Sequence, residues 1–144
     1  MLGASLARDT PDGSMSTRVE IVRRAHEALN SGDVEALVAE CDPDFRLDMS
    51  DRVLNPDVYE GHEGIRRFVA DVHEAWETFT WEPEELVESG DLVFTPIRST
   101  GRARGSGLEL DRRAAMIWTV PAERAVALRF FRDSAAAREA AGLE

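Results

Sequence analysis

Two periodicities run along this chain. Between residues 17 and 31 the apolar positions Val19, Val22, Ala25 and Leu29 recur at helical spacing, with His26 on the same stripe. Thr17-Arg18-Val19-Glu20 reads as a capping box at the helix start, and Asn30-Ser31-Gly32 ends it at a residue that tolerates the left-handed cap. Asp33 is placed to cap a second helix. Its Val34, Leu37, Val38 and Cys41 stand at i, i+3, i+4 and i+7, and Pro43 stops it. The period then falls to two: Phe45, Leu47 and Met49 alternate with Arg46, Asp48 and Ser50, the pattern of a half-buried strand. Asn55-Pro56-Asp57 marks a loop. A third helix is expected from about His62, burying Ile65, Phe68, Val69, Val72 and Trp76.

Beyond residue 78 the pattern is strand-like, with strands expected over 78–89, 92–102, 108–120 and 124–132. Ser89-Gly90-Asp91 and Pro121-Ala122-Glu123 are tight connections. Pro96 has no amide to donate, so it should mark an edge or a bulge. A short final helix follows Asp133 and Ser134, stopped by Gly142. This order implies an α+β domain: a curved antiparallel sheet wrapped around three N-terminal helices, with a short C-terminal helix. Such a cone has an open mouth, where small-molecule sites are favoured, and is expected to enclose a hollow big enough for a guest. Residues 16–144 form this domain, and residues 1–15 are read as a flexible tail containing a second candidate start, Met15.

Composition narrows the chemistry. The net charge of -11 argues against nucleic-acid partners. No apolar run approaches the ~20 residues that span a bilayer, so no membrane contact is expected. All 17 basic residues are arginine, which excludes a Schiff-base or P-loop lysine. A single cysteine, Cys41, rules out an internal disulfide and agrees with a cytoplasmic setting. No Cys/His cluster has zinc spacing, and neither metal nor cofactor is implied.

The stretches "NSGDVEALVAECDPDF", "YEGHEGIRRFVADV" and "FFRDSAAAREAAGL" resemble the SnoaL-like branch of the NTF2-like superfamily, which includes ketosteroid isomerases and polyketide cyclases. The resemblance implies a cone-shaped barrel with an interior cavity and a homodimer formed through the sheet. It does not carry over the isomerase machinery. Met49 stands where the aspartate base belongs, with Asp48 one residue earlier, and a one-residue offset turns a side chain to the other face. Ala25 occupies the tyrosine position, and "RAAMIWTV" offers Met116 and Trp118 where an acidic donor is required.

Candidate chemistry therefore rests on nearby groups. Asp48 and Asp51 are the candidate general bases, because a carboxylate beside Leu47, Met49 and indole rings would be desolvated and its pKa raised. Tyr59 and His62 are candidate hydrogen-bond donors to a developing oxyanion. His26 points toward either the cavity or the core edge, and His73 sits on the flank of the third helix. Leu47, Met49, Phe68, Val72, Trp76, Met116, Trp118 and Phe130 are expected to line the pocket, joined by Trp81 and Phe79. Arg112, Arg129 and Arg132 either hold an anionic ligand or pair with Glu109, Asp111 or Asp133 on the outer face. Two functions stay open: cofactor-free proton transfer on a small apolar or aromatic ligand, and non-catalytic ligand binding or dimerisation.

Overall fold

The computed structural model describes residues 16–52 and 56–143, so the expected tail and Asn55 lie outside the described residues. Helix α1 spans Thr17–Ser31. Its cap is Ser16 rather than Thr17: the Ser16 hydroxyl accepts from the Val19 amide at 3.1 Å, which moves the helix start by one residue. Gly32, at φ 79°, ends the helix as expected. Helix α2 is short, Val34–Ala39, with Asp33 as its cap.

Strand β1 spans Cys41–Asp48. Cys41 therefore belongs to a strand and not to the α2 stripe. The chain leaves the helix early because the Glu40 carbonyl is taken by the Ala125 amide at 2.9 Å, which draws it into the sheet. A bulge between Cys41 and Arg46 absorbs Pro43, whose missing amide would break a regular ladder. Strand β2 is Val58–Glu60 and helix α3 is Gly61–Ala75. The expected face of α3 is buried through Ile65, Phe68, Val69 and Val72, while Trp76 opens strand β3, Trp76–Pro83. The remaining elements are β4 (Val87–Ser89), β5 (Leu92–Ala103), β6 (Glu109–Thr119), β7 (Ala125–Phe131) and α4 (Ser134–Ala140).

The single strand expected over 78–89 is thus two strands. Both pair with β5 on one side, and they break opposite Pro96. The Pro96 carbonyl accepts from the Glu84 amide at 2.8 Å, so its missing donor faces the gap between β3 and β4. The sheet runs β2-β1-β7-β6-β5-β3, with β4 beside β5. It is mixed rather than purely antiparallel, because β1 and β7 run parallel. The helices also do not form one N-terminal block: α1 and α2 precede the sheet, and α3 enters only after β1 and β2.

Helix α3 packs against β1 and β2 at one end of the sheet and against β3 at the other. Only a strongly curled sheet brings both ends to one helix. The larger core lies between this concave face and the helices α1–α3. A second core of Phe94, Ala115, Ile117 and Phe131 lies on the convex face under Ala137 and Ala141 of the α4 segment.

Candidate functional site

Strand alternation decides which side chains reach the concave face. In β1, Phe45, Leu47 and the following Met49 point inward and are buried, while Asp48 between them points outward. Across the sheet Met116 pairs with Phe130 and Trp118 with Leu128, all inward and buried. Phe68 from α3 meets Trp81 at 5.8 Å between ring centroids, and Phe79 and Trp76 extend the aromatic row. Val72 is buried beside them, and Trp76 is half-buried. Every expected pocket residue therefore faces or adjoins the interior core.

The space they leave is small. An apolar cavity of about 10 Å³ is bounded by Leu29, Leu37, Phe45, Leu47, Phe68 and Trp118, among others. That volume admits at most about one water molecule. The expected hollow is corrected to a filled interior, because Trp118, Phe68, Met49 and Met116 occupy it and each is at most 2% exposed.

Residues proposed for proton transfer are not brought together. Asp48 lies on the outer face, where its carboxylate accepts from the Ser50 amide at 3.0 Å and the Ser50 hydroxyl at 2.6 Å. Partial burial works to raise its pKa, but the Ser50 hydrogen bonds, with Arg46 and Arg129 nearby, outweigh it and leave the pKa below the usual value. Asp51 is exposed and accepts from the Arg132 amide at 2.8 Å, tying the exit of β1 to the end of β7. The expectation of a desolvated carboxylate is thus met by neither residue. Arg132 consequently pairs with Asp51 rather than with Asp133.

Tyr59 is buried, and its hydroxyl donates to Asp71 at 3.0 Å. Burial and that carboxylate both raise its pKa. His62 is half-buried, and its Nε2–H donates to the Cys41 carbonyl at 2.9 Å, fastening α3 to β1. Cys41 is itself inert as a nucleophile: burial pushes its thiol up to about 12. His73 is exposed at the end of α3. Among the described residues no group of three His, Cys, Asp or Glu side chains is placed to hold a metal ion.

One polar network does penetrate the core. The Trp118 indole N–H donates to His26 Nε2 at 3.1 Å, so His26 carries its proton on Nδ1, which donates to the Trp81 carbonyl at 2.9 Å. Asn30 completes the arrangement. Its side-chain oxygen accepts from the Trp81 amide at 2.7 Å and its nitrogen donates to the Trp81 carbonyl at 3.1 Å. β3 is an edge strand, and Asn30 pairs with it as a neighbouring strand would. His26 is neutral: burial lowers its pKa from 6.5 to about 4, against the opposing bond to Trp81. Above it lies an open groove of about 560 Å³ beside Glu27, Glu82, Glu84, Glu85 and Arg23. The helical stripe left His26 facing either the cavity or the core edge, and the structure buries it. The role of Asn30 had no signal in a stretch that reads as a helix end.

Matches to known proteins agree with this geometry. The family model described as SnoaL-like domain covers residues 22–128, and the chain belongs to that family, within the NTF2-like superfamily. No curated protein matches the sequence. Among solved structures, an NTF2-like protein of unknown function from Burkholderia pseudomallei K96243 is 24% identical, with a TM-score of 0.73, covering 87% of this chain and 97% of its own. TerC, co-crystallised with polyporic acid, is 21% identical at a TM-score of 0.71, covering 88% and 99%. A protein of ketosteroid isomerase-like fold from Catenulispora acidiphila DSM 44928, in complex with trimethylamine, is 17% identical at 0.72, covering 87% and 94%. At these identities the likeness concerns the fold. No helix among the described residues is long and apolar enough to cross a membrane.

Proposed function

We propose that this SnoaL-like protein binds a small apolar or aromatic ligand inside its cone and does not catalyse a reaction on it. The observation that carries the reading is the apolar, aromatic lining of the filled concave interior, on which no acid–base pair among the described residues converges, so that a guest is admitted only when side chains there move. Asp48 and Asp51 are directed away from it, and the donors of Tyr59 and His62 are already engaged. The guest would enter by displacing Met49 and Met116, unbranched side chains that repack at low cost, and would rest against Leu47, Phe68, Trp118 and Phe130. Val72 and Trp76 would border the entrance. That one similar structure was co-crystallised with polyporic acid and another is a complex with trimethylamine supports a ligand-binding use of the fold.

The test is a thermal-shift and tryptophan-fluorescence titration with indole and 2-naphthol. Saturable quenching with a rise in melting temperature is expected. Flat responses to both compounds would count against the reading. A homodimer and a cytoplasmic setting belong to the same proposal. Light scattering should give twice the 16.0 kDa chain mass, and a chain-mass value would remove the dimer from it.

A further inference from the structure

We propose that His26 is a proton-operated gate between the outer groove beside α1 and the interior of the cone. On protonation its imidazole leaves Trp118 for the glutamates of the groove, and the interior opens to its guest. The gate regulates the ligand-binding interior proposed above and so rests on that reading.

His26 stands between two spaces. On one side is the groove of about 560 Å³, which it lines together with Arg23, Glu27, Glu82, Glu84 and Glu85. On the other is Trp118, whose ring lies 5.5 Å from the imidazole and which bounds the interior cavity with Leu29 and Phe68. The imidazole is 2% exposed although it borders the groove, so it forms the partition between the two.

The neutral ring fits this place and the charged ring does not. Nε2 accepts from the Trp118 indole N–H at 3.1 Å, and the proton on Nδ1 is given to the Trp81 carbonyl at 2.9 Å. A second proton on Nε2 would point at the indole N–H, and an indole can only donate. Two donors then oppose each other inside the core. The groove offers the charged ring what the core withholds. From α1 it receives Glu27 and Arg23, from β3 Glu82, and from the following connection Glu84 and Glu85; Arg113 of β6 pairs with Glu84 at 3.1 Å. Glutamates outnumber arginines there. Charged groups on the other elements packed against α1 are committed elsewhere: Glu35 of α2 to Arg66, Glu88 of β4 to Arg18, and Arg98 of β5 to Asp111. The departing imidazole also leaves room beside Trp118, in an interior that otherwise lacks it.

Burial holds the ring near a pKa of 4 in the closed form, against 6.5 when it is solvated. Acid therefore favours the open form, and the opening equilibrium rises about twentyfold from pH 7 to pH 5. The test is calorimetric titration of the full chain with 2-naphthol at the two pH values; a phenol, with a pKa of about 10, stays neutral at both. Affinity should rise about twentyfold at pH 5 in the wild type and stay within about twofold in His26→Gln. Replacing both Glu82 and Glu85 by glutamine should shrink the gain. Carbon-13 NMR of the wild-type imidazole gives a reading independent of the variants: His26 should titrate near 4 alone and near 6.5 with 2-naphthol at saturation, because linkage is reciprocal. Equal wild-type affinity at both pH values would overturn the gate and leave the binding interior standing. So would the same gain in His26→Gln, an undiminished gain in the glutamate variant, or one His26 midpoint with and without guest. Loss of the native spectrum at pH 5 would replace the gate by unfolding. No binding at either pH would remove the binding interior and the gate with it.

Discussion

Acid should destabilise this protein through His26 well before its carboxylates titrate. The imidazole is buried and neutral, with a pKa near 4 in the fold and 6.5 when free. Between these values the unfolded chain binds a proton that the folded chain does not, so stability falls as pH falls through this window. The full difference is about 3 kcal/mol, of which about 2 kcal/mol is lost between pH 7 and pH 5. Over that interval ordinary carboxylates stay largely ionised, so the imidazole dominates. The assay is urea denaturation at the two pH values, for the wild type and for His26→Gln, which keeps an acceptor for the Trp118 indole but cannot titrate. Wild-type stability should drop by about 2 kcal/mol from pH 7 to pH 5, and the variant should lose at most about a quarter of that. Equal wild-type stability at both values, or the same acid sensitivity in the variant, would refute the assignment of a buried neutral imidazole.

Asn30→Ala removes both bonds to the Trp81 backbone and should cost about 2 kcal/mol in denaturant melts, and a cost below ~0.5 kcal/mol would deny Asn30 its edge-pairing role. Gly101→Ala would place a methyl group 2.7 Å from Phe79 and 3.0 Å from the Thr78 carbonyl, so a loss of about 1–3 kcal/mol is expected by thermal unfolding, and unchanged stability would mean that the aromatic row yields freely. Asp48→Asn and Asp51→Asn should leave interior ligand affinity within about twofold, since both carboxylates lie outside the cone, and a loss of about tenfold in either would return it to the site.

Much of the fold was legible because burial imposes simple periods. Phe45, Leu47 and Met49 announced the inner face of β1, and Ile65, Phe68, Val69 and Val72 announced the inner face of α3. Boundaries that depend on distant partners were not legible. Cys41 reads as helical until Ala125 captures the neighbouring carbonyl, and Trp76 reads as helical until β5 pairs with it. The break between β3 and β4 was half visible: Pro96 signalled a missing donor, but only the register shows which neighbouring strand lacks it. At the candidate site, alternation already placed Asp48 opposite Leu47 and Met49. It carried no information on whether large interior side chains would meet, which is a matter of packing volume rather than of pattern.

The most direct measurement follows the methyl groups of Met49 and Met116 by carbon-13 NMR during titration with 2-naphthol. If the cone opens to an apolar guest, both signals should move and saturate together, with the ligand recovered chemically unchanged. Two unmoved methyl signals at saturating ligand, or conversion of the ligand to product, would contradict a non-catalytic binding interior.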